Sequence, residues 1–252
     1  MSAQGLIWSL PKVGQWVRYE GTFKQVDILS QKNQKNVELN WIRHLTLKCL
    51  SEEVQAEYQN EMVACQWIEI IVVNGKESEM GIDPGPVGAR RYKVLVPVSK
   101  VVSDVKDKNG IRNAFLPIVK GYQKIGDNEV EPMKTKVLQV YPLISMLMHY
   151  RELKAGAEEE IDLPIGSIPS KKFSGEITME SPFNKTINQA EMWQSENVPF
   201  GLAKWKVQVE RQSKDSVSPR SEFLPASEIT IEMSAHEIGE DAQSELITPD
   251  EK

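Results

Sequence analysis

Few side chains in this sequence are placed to do chemistry, and their spacing limits what that chemistry is. A serine or cysteine nucleophile needs a base beside it, and the chain offers only His44, His149 and His236. His44 falls on the polar parity of an alternating segment, and His149 near the end of an apolar helical pattern, where a cation suits the dipole. His236 lies in an acid-rich C-terminal stretch. There is no G-x-S-x-G elbow, and Cys49 and Cys65 both fall on apolar strand parities, where a thiol is inert. No C-x-x-C pair or H-E-x-x-H helix supplies metal ligands, and Gly81, Gly85 and Gly88 match no phosphate-loop spacing. Acyl transfer, a structural zinc and nucleotide binding are not expected, nor is any cofactor.

Two charged residues stand where apolar ones belong. Glu69 shares parity with Trp67 and Ile71, and Arg43 interrupts the run Val37, Leu39, Trp41, Leu45, Leu47, Cys49. An inward charge is costly unless paired. The two readings are an Arg43–Glu69 ion pair that fixes strand register and a polar pair that faces a ligand. A carboxylate hydrolase built on Glu69 needs a second carboxyl across an open cleft, and the sequence marks none, so a non-enzyme is expected.

These residues sit on strands. Gly14–Ile28 alternates with period two, as does Val37–Cys49, whose opposite parity carries Glu38, Asn40, His44, Thr46 and Lys48. Val63–Val73 is β-branched and aromatic, and Ser51–Met62 reads as the loop of a long hairpin. If the arms pair symmetrically, Cys49 and Cys65 come close enough for a candidate disulfide. A slip of one residue instead turns them to opposite faces. Asn74–Arg91, with Asp83-Pro84-Gly85-Pro86, reads as an excursion from the sheet. Tyr92–Pro97 is a short strand. Val98, Val101, Val102 and Val105 have helical spacing, as do Leu143, Met146, Leu147 and Tyr150 after Pro142. Phe173–Glu180, Thr186–Gln194, Leu202–Gln212 and Ile229–Met233 return to strands.

The organisation expected is an N-terminal extension over 1–13, one domain over 14–233 and an acidic, disordered tail over 234–252. The fold class expected is α+β, mainly β: a strongly curved antiparallel sheet, a half-barrel, covered by a few short helices. A formal charge of -6 argues against nucleic acid as a partner. No apolar run is long enough to span a bilayer as a helix, and the first residues lack the pattern of a secretion signal. Trp16, Trp41, Trp67, Trp193 and Trp205 fall in or beside strands. They serve either as core or as lining for an apolar ligand, with Met146, Leu147 and Met148 as a lid.

The GQWVRY strand, the RHLTLKCLSEE and ACQWIEI hairpin, the YKVLVP strand and the late ENVPFGLAKWKVQV segment together resemble bacterial envelope proteins whose fold is similar to the lipoprotein-carrier superfamily, LolA-like and LppX-like. The resemblance implies a half-barrel closed by helices over an apolar cavity, in the periplasm or cell envelope, where a Cys49–Cys65 bridge gains support. It implies lipid or acyl-chain carriage without chemistry, with Arg43 near the mouth. On that reading Arg43, Glu69, Trp41, Trp67, Trp205, Met146 and Leu147 contact the ligand. The alternative is an interaction module with a solid core that docks a partner protein through loops or the acidic tail.

Overall fold

A computed structural model of the chain describes residues 6–29, 35–79, 81–101, 115–139 and 153–248. Its elements in chain order are β1 (Trp16–Asp27), β2 (Val37–Cys49), β3 (Val54–Tyr58), β4 (Glu61–Ser78), β5 (Gly81–Asp83), β6 (Arg90–Pro97), α1 (Val98–Val101), β7 (Phe115–Pro117), β8 (Lys120–Ile125), β9 (Glu131–Pro132), β10 (Val137–Gln139), β11 (Lys154–Leu163), β12 (Gly166–Glu180), β13 (Asn184–Gln194), β14 (Leu202–Ser213) and β15 (Leu224–Gly239). In β1, in β14 and in β2 from Arg43 onward the inward parity is buried and the polar parity is not, while the start of β2 leaves Val37 and Trp41 exposed.

The main sheet has the order β11-β12-β13-β14-β15-β1-β2-β4-β6-β8-β9, with β3 and β5 also paired to β4, and β7 with β10 forms a separate pair. The first strand is seated against the last, with Trp16 opposite Gly239 and Asp27 opposite Ser227. The strands at the two ends of the path, β11 and β9, do not pair with each other. The sheet is therefore open and not rolled. This corrects the half-barrel expected from the sequence. Among the described residues the α-helix is the single turn α1, and the segment holding Met146 and Leu147 lies outside them.

One face carries the core. Tyr19, Leu45, Leu47, Ile68, Ile70, Val94, Trp205, Val207 and Ile231 pack there in one continuous cluster. Leu6 and Ile7 from the N-terminal extension are fully buried in it, and Trp8 N–H donates to the Phe200 carbonyl at 2.8 Å. The Pro199–Gly201 turn that admits this segment takes left-handed backbone at Phe200 (φ 66°) and Gly201 (φ 77°). A side chain at Gly201 would place Cβ 2.9 Å from Trp8 Cβ, so glycine is what lets the two segments touch. Each large apolar side chain buried here contributes about 1.5–3 kcal/mol. The face on which a lipid cavity was expected is thus filled with side chains.

Two further expectations change. Asn74–Arg91 does not leave the sheet at Asn74: β4 runs on to Ser78 and β5 pairs back onto it, Lys76 opposite Asp83. The acidic C-terminal stretch is not a free tail either. β15 continues to Gly239, and residues 240–248 form a strap whose Leu246 and Thr248 are buried.

Candidate functional site

The residues singled out from the sequence are distributed over both faces of the sheet. Register is the reason. β2 pairs with the C-terminal half of β4, Lys48 opposite Glu69 and Cys49 opposite Ile68, while the short strand β3 takes the N-terminal half, Val54 opposite Cys65. The tight β3–β4 turn uses left-handed backbone at Gln59 and Asn60. Directly paired residues share a face, so Cys49 joins Ile68 on the core face. Cys65, three residues from Ile68, points the other way. The candidate disulfide is not formed: both cysteines are free and buried. Burial raises both thiols, and Cys49 accepts a bond from Gln66 Nε2 at 3.0 Å.

The same parity separates Arg43 from Glu69, so the expected ion pair is not made. Arg43 lies on the core face opposite Asn74, to whose Oδ1 its Nε donates at 2.6 Å, and its guanidinium lies over the Phe23 ring. Glu69 lies on the opposite face with no solvent exposure, flanked across the strands by Lys48 and Lys93. Its carboxylate accepts Ser244 Oγ at 2.7 Å, the Glu245 amide at 3.0 and 3.1 Å and the Leu246 amide at 3.3 Å, with Lys48 Nζ at 3.5 Å. Glu245 in turn bridges Lys48 and Arg91, each at 2.9 Å. Half-burial works against the Glu245 charge, but these two donors hold its carboxyl below the ordinary value. Trp16 Nε1 donates to Asp241 at 2.9 Å, so the strap crosses β1, β2, β4 and β6 in turn.

The three tryptophans named above do not line one cavity. Trp205 is fully buried, edge-on to Tyr19 at 5.0 Å, and its Nε1 has no partner. Trp67 sits on the Glu69 face, stacked near Tyr122 at 6.4 Å with Lys93 over its ring. Trp41 is at the end of the core face, 39% exposed and stacked on Phe23 at 5.1 Å. Beside it a cleft of about 460 Å³ opens between β2, β4 and the 83–90 segment. A broader depression of about 800 Å³ on β11–β14 is lined by polar residues such as Glu176, Gln189 and Lys206 together with Ile177 and Ala190.

Exposed apolar side chains mark the strand ends where β1, β12 and β14 turn back. Phe183 is 50% exposed and Val217 91%, with Leu29, Met179 and Leu224 also open to solvent. They are neighbours in the sheet: Lys214 N–H donates to the Phe183 carbonyl, Ser213 pairs with Leu224, and Ile28 N–H donates to the Ala226 carbonyl. Single exposed apolar residues need no explanation, whereas a group on adjoining loops marks a contact surface. The group is not legible in the sequence because its members are scattered over the β1–β2, β12–β13 and β14–β15 connections and the strand ends beside them. Among the described residues no three His, Cys, Asp or Glu side chains gather as a metal site, and no helix is long and apolar enough to cross a membrane.

No family model matches the chain, and no curated protein does. Solved structures that are similar to it include two bacterial proteins. One is a predicted lipoprotein from Parabacteroides distasonis, 13% identical over 93% of this chain and 99% of that one, with a TM-score of 0.34. The other is a predicted exported protein with YmcC-like fold from Bacteroides fragilis, 9% identical over 93% and 99%, with a TM-score of 0.30. The chain thus has weak structural similarity to bacterial envelope and exported proteins, and neither of these two is named as a lipoprotein carrier. Similarity of this depth assigns no ligand.

Proposed function

We propose that the chain is a non-enzymatic interaction module of the bacterial cell envelope that docks a partner protein through the loop end of its sheet. The carrying observation is the group Leu29, Met179, Phe183, Val217 and Leu224, exposed on adjoining loops of a sheet whose own core face is filled. Covering such a group removes apolar area from water without any rearrangement of the core. The envelope location follows the resemblance read from the sequence. The lipid-carrier reading falls with the half-barrel.

The test is site-specific photocrosslinking in cells that make the protein. A photoreactive residue is placed at Phe183 or Val217, and at Met62 as a control in β4 near its turn with β3, remote from these loops. A single adduct of defined mass from the first two positions and none from Met62 supports the proposal. Equal adducts from all three positions, or none from any, refutes it.

A further inference from the structure

His44 and His236, far apart in the sequence, meet over one carboxylate on the face opposite the core. Glu20 of β1 lies between β2 and β15, with His44 Nε2 3.6 Å from its Oε2 and His236 Nδ1 3.5 Å from its Oε1. Arg18 joins them from the same strand, its Nη2 2.9 Å from Glu20 and 3.0 Å from Glu237. A bulge in β15 makes this meeting possible. Glu237 pairs with Arg18 and Ala235 with Tyr19, so His236 is the extra residue. It lets two neighbours, His236 and Glu237, project on one side, where regular alternation would turn Glu237 toward the core.

The strands around the cluster set its charge. β4 places Val73 and Ile71, both uncharged, opposite His44 and Thr46, and the Lys48–Glu69 pair follows next along that face. β14 contributes Lys204, which is opposite Ser234 and held by Glu232 of β15 at 2.9 Å. The strap contributes Asp241, which accepts from Trp16 Nε1. At neutral pH Arg18 against Glu20 and Glu237 leaves the cluster one negative charge, and protons on both imidazoles would leave it one positive charge. One carboxylate cannot neutralise Arg18 and two imidazoliums together, so the second proton is opposed. His44 carries the mark of this. Partial burial, the largest cause, lowers it below 6.5; Glu20 opposes that, Arg18 and His236 lower it further, and Glu237 acts against them. His236 Nδ1 and Arg18 Nε are shielded from solvent and have no hydrogen-bond partner among the described residues, so the cluster has little slack for added charge.

We propose that this cluster is an acid-sensitive latch on the seam between the first and last strands: as both imidazoles take up protons, their repulsion from each other and from Arg18 opens the bulged end of β15, His236–Gly239, from the start of β1. The folded chain holds His44 less basic than the unfolded chain does. The latch is therefore closed above the unfolded value of 6.5, and its contribution is lost as the pH falls below that value toward the lowered one. Each unit by which the imidazoles titrate below their unfolded value multiplies the opening equilibrium in acid by about ten. The latch needs neither the loop-end docking surface nor its partner, and either can fail without the other.

The test uses the full chain. Histidine ring signals in NMR give the titration midpoints, with His44 and His236 identified from H44Q and H236Q. Hydrogen exchange by mass spectrometry gives the opening of Trp16–Glu20 and His236–Gly239 in neutral and in mildly acidic buffer, corrected for the pH dependence of the chemical exchange step. The His44 midpoint is expected below 6.5, higher in H236Q, where a charge that lowers it is gone, and lower still in E20Q. The seam amides should open in acid by the factor that the measured midpoints give, while those of Ala190–Trp193 and Trp205–Val209 keep their protection. The Trp16 indole N–H should exchange faster along with the seam. Asp241 is not the cause of that, because its bond from Trp16 holds its carboxyl below the ordinary 3.8 and it stays ionised over this range. A His44 midpoint at or above 6.5, a midpoint that does not move in H236Q, or seam amides that keep their protection in acid overturns the proposal. The wild-type titration and exchange decide it even where a variant fails to fold.

Discussion

Replacing Glu69 by Ala removes the group on which the C-terminal strap converges. Its carboxylate takes two backbone amides and the Ser244 hydroxyl, at 2.7–3.3 Å, in a site with no solvent exposure. Hydrogen bonds to a charged group contribute about 1.5–3 kcal/mol each. Part of that is offset, because removing Glu69 also relieves the desolvation of a buried carboxylate. A net loss of roughly 3–4 kcal/mol is left, and at 1.4 kcal/mol per tenfold this is about a 100- to 1000-fold change in a local equilibrium. Leu246, whose amide donates to the same carboxylate, should leave its buried position at the same time. The strap should open locally while β1, β2 and β4, held by their own ladders and by the opposite face, stay closed. Native-state hydrogen exchange read by mass spectrometry checks this: amides 244–248 lose protection by that factor, and those of Leu45–Cys49 and Ile68–Val72 change little. Glu69→Gln, which retains one acceptor oxygen, should fall between. If strap amides keep their protection in Glu69→Ala, or lose it only together with the sheet amides, the carboxylate is not what holds the strap.

Glu245→Gln gives a pH signature. Lys48 and Arg91 hold the native Glu245 carboxyl below its ordinary 4.5, so its contribution is complete above that value and is lost as pH falls through the lowered one. The difference in strap protection between wild type and Glu245→Gln should be constant from pH 8 to about 5 and vanish in stronger acid; a difference that grows on acidification contradicts the bridge. Cys49 and Cys65 should not react with a disulfide reagent at neutral pH until the chain is unfolded, and the intact mass should show two free thiols even after air oxidation. A mass two hydrogens lower would show a bridge and a different β2–β4 register. Trp205→Phe should be cheap, on the order of 1–2 kcal/mol by urea denaturation, because the indole N–H has no partner to lose; Trp205→Ala should cost about 3–5 kcal/mol. A large penalty for the phenylalanine variant would reveal a bond to that N–H.

The sequence by itself determined the antiparallel character of the sheet and most of its strands. Period-two alternation in β1, β2 and β14 is a local property, because each polar residue on the solvent parity is stable there whatever the strand pairs with. It also marked Arg43 and Glu69 as charges on apolar parities, and both are buried in the structure. Tertiary structure alone decided where they point. The insertion of β3 shifts the β2–β4 register by an odd number of residues from the symmetric hairpin, and an odd shift sends Arg43 and Cys49 to one face and Glu69 and Cys65 to the other. The strap was illegible for a related reason. Ser244, Glu245 and Leu246 read as a solvated acidic end because their partners, Glu69, Lys48 and Arg91, lie more than a hundred residues away and come together only when β15 closes on β1. Openness was likewise undecidable from alternation, which is the same for a flat sheet and a rolled one. The Leu6–Trp8 segment and the Phe200 turn pack into the core face together with Val101, Leu116, Ile118 and Leu138, and only their seating in the fold shows that the face is packed.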